Sequence, residues 1–257
     1  MTTVSTLGDI ALVAASLGAD AIRAVIRSGE LAVATKTSDS DFVTAADLAA
    51  DDAIARAITA ARPDDAIKSE ESGRRAGTSG ITWVVDPLDG TMNFVHHRDE
   101  YAVSVGVEQD GDYVAGAIVR PTSGAWIAAG DGVVRAREGR PGVTGTTDPE
   151  AAMFSVGLAG DADMRARMLD MIGDLLPIAR DFRRSGSSAC ELADLAMGRV
   201  DVYLGFGVND WDVAAGIAVV RAAGGRAEWV ETESGLPLLA AGTPAVFDQF
   251  VERAAKV

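Results

Sequence analysis

The first part of the chain carries apolar residues at the spacing of an α-helix. In residues 7–28 these side chains fall on one helical face: Leu7, Ile10, Val13, Leu17, Ile22, Val25 and Ile26. Residues 44–61 predict a second helix, with Thr44 as its N-cap and Asp47 as the partner in a near capping box. Pro63 is expected to end this second helix.

Beyond residue 80 the hydrophobic period changes to that of β-strands. Strands are predicted at residues 81–85, 101–108, 113–120 and 124–129. Asp110-Gly111 and Asp131-Gly132 are typical hairpin-turn pairs. The first half therefore predicts two helices packed on an antiparallel sheet. An exposed connection rich in Gly, Thr and Pro is expected over residues 136–150.

The second half alternates between strand-like and helix-like segments. Strands are predicted at residues 153–158, 178–182, 200–204 and 226–230, and helices at residues 161–176, 187–198, 212–223 and 246–256. Such alternation is typical of a layered α/β arrangement. We therefore predict an α+β N-terminal subdomain over residues 1–145 and an α/β C-terminal subdomain over residues 146–257, joined in one compact unit.

Composition narrows the class of protein. The chain has 257 residues, 48% of them hydrophobic, which is enough for one large core or two smaller ones. No apolar run reaches the ~18 residues needed to cross a bilayer, and no secretory signal pattern is present. The single cysteine, Cys190, excludes an intramolecular disulfide and a Cys-rich zinc site. We therefore expect a cytoplasmic protein.

The charge of the chain is strongly acidic. There are 38 acidic and 23 basic residues, for a net charge of −15. Such a surface disfavours nucleic acid and anionic membranes, and we expect neither as a partner. An anionic substrate would need cations between itself and the protein, which favours a metal site, although solubility alone explains most of the excess.

The segment WVVDPLDGT, residues 83–91, ends a predicted buried strand with two acids. Asp86 and Asp89, with the intervening proline and following glycine, fit an ordinary turn. The same two carboxylates and the Leu88 carbonyl could also face a hard divalent cation, which prefers oxygen ligands. Backbone N–H groups after Gly90 would suit a phosphate. At this point both interpretations stay open.

Three other positions also have a structural and a chemical interpretation. Glu70 in SEES is most simply one of a solvated acidic pair, and Lys36 a solvated loop charge. Asp212 in NDWDVAAG is a good helix N-cap.

The segment RRSGSSACELA, residues 183–193, places a glycine turn before a helix. Gly186, Ser187 and Ser188 fit either a simple cap or backbone amides that meet an anion, and Arg183 adds positive charge. Nucleophilic-serine and nucleotide-binding chemistries are disfavoured, since the chain lacks the G-x-S-x-G, P-loop and G-x-G-x-x-G patterns.

These motifs occur in a fixed order: a lysine loop, VTAAD, EES, DPLDGT with NFVH, GSSA and WDVAAG. Together they resemble the inositol monophosphatase family, which comprises Mg²⁺-dependent, lithium-sensitive phosphatases of small phosphate monoesters. The resemblance covers nearly the whole chain, and WVVDPLDGTMNFVH is its most specific part. It implies a layered α-β-α-β-α sandwich, a small phosphorylated substrate and a homodimer.

The resemblance also implies metal ligands. Glu70, Asp86 and the Leu88 carbonyl resemble the ligands of one Mg²⁺, and Asp86, Asp89 and Asp212 those of a second. Glu70 would hold a third, weaker ion through water. The implied cofactor is therefore two to three Mg²⁺ ions per active site.

Catalytic and substrate roles follow from the same resemblance. Thr91 and Asp47 resemble the pair that orients and deprotonates the attacking water, with Glu70 and Lys36 near the metals and the phosphate. The amides of Gly90 and Thr91 would meet phosphate oxygens. The implied substrate side is formed by Arg183, Gly186, Ser187 and Ser188.

One position departs from the family pattern. Inositol-selective members usually have a substrate-binding Glu seven residues before the position of Asp212, and this chain has Gly205 there. Ser187 replaces a more usual Thr. Hydrolysis should survive because the metal and phosphate residues are retained, but the choice of inositol phosphate is put in doubt.

The implied function is Mg²⁺-dependent hydrolysis of a small phosphate monoester by metal-activated water, with myo-inositol 1-phosphate or a similar cyclitol or sugar monophosphate as substrate. Histidinol phosphate, fructose 1,6-bisphosphate and nucleotide 3′-phosphates are alternative substrates. An alternative of another class is a regulatory protein-binding module, as in some bacterial members that act with the transcription machinery. The complete set of acids argues against a purely non-catalytic role.

Overall fold

Two long helices open the fold. The computed structural model describes residues 6–29, 33–35, 42–158 and 162–256, and α1 (Leu7–Ser28) packs there against α2 (Ala45–Ala61). Each helix begins with a reciprocal capping box, Thr6 with Asp9 and Thr44 with Asp47. Both predicted helices and the predicted Thr44 cap are confirmed.

A seven-stranded sheet follows, in the order β4-β3-β5-β6-β7-β8-β9. Its strands are β3 (Ala66–Ser69), β4 (Gly73–Arg75), β5 (Ile81–Asp89), β6 (Ala102–Gln109), β7 (Asp112–Val119), β8 (Trp126–Gly130) and β9 (Val133–Ala136). A separate small hairpin pairs β1 (Val33–Thr35) with β2 (Phe42–Thr44). Asp110 and Asp131 have φ of 54° and 53° in the hairpins after β6 and β8, so both predicted turns are confirmed.

The prediction of a purely antiparallel first sheet is wrong at one edge. β3 and β5 pair in parallel, because β4 and the loop over residues 76–80 return the chain to the end of the sheet where β3 began. The short strands β3 and β4 flank the SEES turn. Neither strand was predicted, because the sequence around this turn is polar. This parallel pair brings Glu70 beside β5.

The second sheet is five-stranded, in the order β11-β10-β12-β14-β13. It contains β10 (Met153–Leu158), β11 (Asp181–Arg183), β12 (Val202–Phe206), β13 (Arg226–Glu231) and β14 (Pro237–Gly242). Four longer helices belong to this half: α4 (Ala162–Leu175), α5 (Ser188–Ala196), α6 (Asp210–Ala222) and α7 (Pro244–Ala254). β14 was not predicted, because it is buried on both faces and its apolar run lacks the strand alternation.

Three hydrophobic clusters separate the layers. In the first, Ile54 of α2 and Trp83 of β5 pack between the two long helices and the first sheet. The second, which contains Leu192 of α5, lies with α5 and α6 between the two sheets. The third, around Phe154, covers the outer face of the second sheet with α4 and α7. The layers therefore alternate as α-β-α-β-α, as predicted.

The middle cluster mixes side chains from both halves of the chain, for example Ile127 and Ile217. The division into subdomains at residues 145 and 146 stays a prediction. In the parts of the chain that the structure describes, no helix combines the length and apolarity needed to cross a bilayer.

Candidate active site

The acidic end of β5 is shaped by a register shift. Asp86 pairs with Ser104 of β6, and the next pair joins Asp89 to Ala102, so three steps on β5 match two on β6. In a regular strand, residues three apart point to opposite faces. The irregularity allows both carboxylates to approach one point.

Asp86, Asp89 and Asp212 form a cluster in which one oxygen from each lies within 4.8 Å of the others. Asp86 and Asp89 are buried, and Asp212 is partly buried in the first turn of α6. Glu70 adds negative charge to the same place, since its charge acts on all three carboxyls. The backbone N–H of Glu70 donates to the Val85 carbonyl at 3.1 Å, which fixes this acid beside β5.

Burial and mutual repulsion disfavour the charged forms of these acids. Burial raises the pKa of Asp86 and of Asp212 well above the usual range, and neighbouring carboxylates raise it further. Burial raises the pKa of Asp89 to about 7, against the lowering effect of its hydrogen bonds. Buried carboxylates this close are stable in their ionised form only with a cation among them, and their oxygens suit Mg²⁺ or a similar hard ion. The donor set therefore fits a divalent metal site.

Each acid of the cluster is oriented by a backbone amide. Leu88 N–H donates to Asp86 Oδ1 at 2.9 Å, Ala189 N–H to Asp89 Oδ2 at 2.6 Å, and Asn209 N–H to Asp212 Oδ2 at 2.8 Å. The Asp212 contact is half of a capping box, in which Asn209 and not Asp212 is the N-cap. The N-cap reading of Asp212 is thus wrong, although this residue does cap the helix from its third position.

Asp89 receives a second hydrogen bond, from Ser187. Ser187 Oγ donates to Asp89 Oδ2 at 2.6 Å, and the Oγ also accepts from Cys190 N–H at the start of α5. Both donors to Asp89 reach Oδ2, so Oδ1 is the oxygen left for another ligand. Ser187 therefore links the acid cluster to the first turn of α5.

Thr91 and Asp47 meet, as predicted, across two elements. Thr91 Oγ1 lies 3.2 Å from Asp47 Oδ1 and 3.0 Å from the Leu88 carbonyl oxygen, so its single proton has two acceptors. Asp47 Oδ2 accepts from the backbone N–H of Thr44 at 2.8 Å. Burial raises the pKa of Asp47, while hydrogen bonds from Thr44 and Thr91 lower it. Asp47 thus serves the α2 cap and contacts Thr91 at once.

The turn after Asp89 depends on glycine. Gly90 has φ of 95°, and a Cβ there would lie 2.9 Å from the Glu100 carbonyl oxygen and 3.2 Å from Ser187 Cβ. Another residue would therefore be strained and crowded. α3 (Thr91–Val95) starts directly after this turn.

A cavity of about 120 Å³ opens beside the acid cluster. Asp89 and Asp212 form its acidic end. The rest is formed by the turn before α5, by β10 and by one residue before α6: Arg184, Gly186, Ser187, Ser188, Val156, Gly157, Leu158 and Val208. The predicted Gly186, Ser187 and Ser188 are all present in this lining.

One predicted cation, Arg183, does not line the cavity. Arg183 is exposed and pairs with Asp181, and Arg184 lines the cavity instead. Lys36 lies outside the described residues. A cation that the sequence did not single out, Lys68 of β3, pairs with Asp210 and lies 5.5 Å from the ring centre of Trp211. It ties β3 to the first turn of α6.

Sequence reasoning also missed two buried residues that hold the 183–188 turn. Asn93 Nδ2 donates to the carbonyls of Glu100 at 2.6 Å and Ser185 at 2.8 Å, and Glu191 accepts from the Ser185 N–H. Burial raises the pKa of Glu191. The Asn93–Ser185 contact joins distant segments, and the Ser185–Glu191 contact depends on the conformation of the turn before α5, so no sequence pattern reveals them.

Comparison with known proteins agrees with this fold. The structure superposes on the extragenic suppressor protein suhB from Bartonella henselae with a TM-score of 0.87 and 30% identity, over 96% of this chain and 97% of that one. An inositol-1-monophosphatase from Mycobacterium bovis is 34% identical over 208 residues, which are 77% of this chain and 72% of the relative. A Nus factor SuhB from Pasteurella multocida is 36% identical over 195 residues, 74% and 73% of the two chains.

The sequence profile of the inositol monophosphatase family matches residues 4–246. The chain therefore belongs to the inositol monophosphatase family, as its motifs predicted.

Proposed function

We propose that this protein hydrolyses small phosphate monoesters with the help of divalent metal ions, Mg²⁺ first among them. Family membership supports phosphatase activity. The observation that carries the proposal is the cluster of Asp86, Asp89 and Asp212, with oxygens within 4.8 Å of one another. Thr91, which forms a hydrogen bond with Asp47, follows shortly after Asp89 in the chain. A net charge of −15 and buried acids are otherwise a poor environment for a phosphate dianion.

The metal ligands would be divided between two principal ions. Glu70, Asp86 and the Leu88 carbonyl would hold one, and Asp86, Asp89 and Asp212 the other, with Glu70 reaching a third through water. When bound, such ions offset the negative charge of the phosphate and acidify a nearby water molecule. Asp86, shared by both ligand sets, would set their spacing.

Thr91 and Asp47 would move the proton of the attacking water. Thr91 Oγ1 accepts that proton while its own proton passes to Asp47 Oδ1, 3.2 Å away. The burial that raises the pKa of Asp47 makes this carboxylate a better acceptor. Water attacks phosphorus in line with the leaving alcohol, and no phospho-enzyme is formed.

Substrate contacts would come from the turn after Asp89 and from residues that line the cavity. Phosphate oxygens would accept hydrogen bonds from the backbone amides of Gly90 and Thr91, and from the turn at Gly186 and Ser187. The leaving alcohol would lie toward Ser188 and β10. The first substrates to test are myo-inositol 1-phosphate and related cyclitol or sugar monophosphates, followed by fructose 1,6-bisphosphate, nucleotide 3′-phosphates and histidinol phosphate.

Several further properties follow from family membership alone. A homodimer, inhibition by lithium, a cytoplasmic location, a role for Lys36 near the metals and the phosphate, and a role for Arg183 on the substrate side are expected on this basis.

The names of several relatives suggest a second candidate function. Relatives with 36% identity are called Nus factor SuhB, which favours an additional role in binding other macromolecules. The acid cluster does not depend on such a role. The two functions separate in an Asp86→Asn variant, which should lose hydrolysis and keep any binding activity of the wild type.

The test is phosphate release from this panel, with Mg²⁺ and with a chelator. We expect release from at least one monoester with Mg²⁺ and none with the chelator. Release that persists under chelation would contradict the metal assignment. No release from any monoester would make the second function the leading one.

A further inference from the structure

The first turn of α6 bridges the two strands that flank β5. In the first sheet β5 lies between β3 and β6. Lys68 of β3 pairs with Asp210, and Ser104 Oγ of β6 donates to the Trp211 carbonyl oxygen at 3.3 Å. Asp212 is the next residue of the helix, so these two contacts hold its carboxylate at the acidic end of β5.

Asp212 is the acid of the cluster that comes from a different layer of the fold. Asp86 and Asp89 both belong to β5, and the Glu70 N–H donates to a carbonyl of that strand, so pairing within one sheet holds these three acids. Asp212 belongs to a helix of the middle layer. Its distance from the other acids therefore depends on how the start of α6 is held against the first sheet.

The Lys68–Asp210 pair is supported by further contacts. Asp210 accepts from Lys68 with Oδ2 and from the Trp211 N–H at 3.1 Å with Oδ1, so both carboxylate oxygens have a donor. The Lys68 ammonium lies 5.5 Å from the centre of the Trp211 ring, within the range of a cation–π contact. The side chains of Lys68 and Asp210 are 36% and 26% exposed, and a pair this accessible to water adds little to the free energy of unfolding. We therefore expect its effect in the position of α6.

Ser69, the next residue of β3, holds the same strand end from the opposite face. Successive side chains of a strand point to opposite faces, and Ser69 Oγ donates to Asp51 of α2. The end of β3 is thus fixed between the two helices whose first turns contain Asp47 and Asp212. Loss of the Lys68 contact should therefore leave β3 in place and loosen the start of α6.

We propose that the ion pair of Lys68 and Asp210 positions Asp212 as a metal ligand and thereby sets the affinity of the protein for divalent cations. This rests on the metal site of the proposed function and assigns two positioning residues to it. Neither side chain would contact the metal or the phosphate, because the pair acts through Asp212.

An effect of charge alone would have opposite signs at the two positions. The negative charge of Asp210 acts on the Asp212 carboxyl. Removing this charge would weaken the binding of a cation, whereas removing the positive charge of Lys68 would strengthen it. A positioning pair requires weaker binding after either change. The direction of the Lys68 effect therefore separates the two explanations.

The test is Mg²⁺ binding to the metal-free protein, measured by isothermal titration calorimetry. Lys68→Met and Asp210→Asn should each weaken binding by about tenfold, the lower end of the effect usual for residues that orient metal ligands. The double variant should bind no more weakly than either single variant, because the two residues act through one contact. Lys68→Arg retains the positive charge and should retain most of the affinity. Thermal melts of the metal-free variants should match the wild type.

Asp112→Asn is the matched control. Asp112 of β7 pairs with Arg221 in the last turn of α6 and accepts from the N–H of its own next residue, as Asp210 does at the first turn. The control thus removes the same charge, and an ion pair between the same helix and sheet, at the opposite end of the helix. It should bind Mg²⁺ like the wild type.

Phosphate release gives a second measurement. The Lys68→Met and Asp210→Asn variants should need about tenfold more Mg²⁺ for half-maximal activity. Their kcat at saturating Mg²⁺ should be close to that of the wild type, because the ligands themselves are intact.

The outcomes separate this proposal from the proposed function. Wild-type affinity in both single variants, or tighter Mg²⁺ binding in Lys68→Met, would overturn the positioning role and leave the metal site standing. Losses that multiply in the double variant would show that the two residues act separately, and would overturn it too. No Mg²⁺ binding by the wild type would overturn the metal site as well.

Discussion

The two sides of the cavity are built on different principles. The acidic side comprises Glu70, Asp86, Asp89 and Asp212, whose charges repel one another and whose positions are fixed largely by backbone amides. The leaving-group side comprises Gly157, Ser188, Tyr203 and Gly205, and is held by close packing and one neutral hydrogen bond. Without a cation, the buried carboxylates of the acidic side lower the stability of the folded protein when they are ionised. The packed side needs no ion to be stable. In the proposed function, the acidic side would hold the metal ions and the packed side would face the leaving alcohol.

The largest effect is expected on the acidic side, at Asp86. Asp86→Asn keeps the shape but removes a negative charge from both proposed metal ligand sets. Phosphate release should fall by at least about 10³-fold, because several kcal/mol of transition-state stabilisation depend on the metals. Asp212→Asn should behave alike, at any Mg²⁺ concentration. Asp174→Asn, an exposed acid on α4, is the control, and near-normal activity in Asp86→Asn would contradict the two-metal assignment.

Removing the proton path should have the next largest effect. Thr91→Ala and Asp47→Asn should each lower kcat by about 10²–10⁴-fold, the usual contribution of general-base catalysis. Because Thr91 Oγ1 and Asp47 Oδ1 act through one hydrogen bond, the double variant should be little worse than either single variant. Multiplicative losses in steady-state kinetics would show that the residues act independently. Asp47→Asn also needs a thermal melt, since Asp47 caps α2.

Ser187 joins the two sides, and its loss should be milder. Ser187→Ala removes the 2.6 Å hydrogen bond to Asp89 but keeps the Ala189 amide on the same oxygen. Mg²⁺ affinity should weaken by about 10–100-fold, as is usual for partners that orient metal ligands. The activity at saturating Mg²⁺ should recover in large part. A loss that Mg²⁺ cannot restore would show that the Ser187 side chain does not act through its hydrogen bond to Asp89.

The repulsion on the acidic side should appear in the stability of the metal-free protein. The pKa of Asp89 is raised to about 7 in the native state, against ~3.9 in an unfolded chain. Between these values the native state binds more protons, so the free energy of unfolding falls as pH rises. Thermal melts with a chelator should therefore show lower stability at about pH 8 than at about pH 5.

Two comparisons isolate that effect from the other titrating groups of the chain. Asp89→Asn should lose less stability over the same pH range, and added Mg²⁺ should stabilise the wild type more at the higher pH. Equal stabilisation by Mg²⁺ at both pH values would mean that the acids are not the binding groups.

The smallest effect is expected on the leaving-group side, in packing. Gly205→Ala places a Cβ 2.7 Å from Tyr203 Oη, and such overpacking typically costs ~1–3 kcal/mol of unfolding free energy. Gly173→Ala is the matched control, because among the described residues no atom beyond its chain neighbours and its own helical backbone lies within 4 Å of the added Cβ, and α4 should gain from alanine. Urea denaturation compares the two. A Gly205→Ala variant as stable as Gly173→Ala would show that the phenol moves aside easily.

The acidic side of the site was largely predictable from the sequence, whereas the packed side was not. Asp86 and Asp89 share one short motif, and the capping box of Asp47 is a local pattern, so both were visible. Asp212 is far along the chain and was assigned through the family resemblance. The hydrogen bond between Tyr203 and Ser188 joins β12 to α5, and no local sequence pattern around either residue predicts it.

Errors in the fold have the same origin. β14 was missed because a strand buried on both faces has no alternation, and the parallel β3–β5 pair depends on a return loop that no local pattern specifies. Arg184 lines the cavity whereas Arg183 pairs with Asp181, and this difference depends on the conformation of the turn, so the role of Arg183 stays a prediction. Short motifs therefore made the local chemistry predictable, whereas contacts between distant segments were predicted only where the family resemblance implied them, as for Thr91 and Asp47.

The most direct test of the metal site is anomalous X-ray scattering from crystals soaked with Mn²⁺, which uses the same oxygen ligands as Mg²⁺. We predict anomalous density among the carboxylates of Asp86, Asp89 and Asp212, with Glu70 within reach. Mn²⁺ bound elsewhere, with this cluster free of metal at a concentration that supports phosphate release, would contradict the assignment of these acids as the metal site.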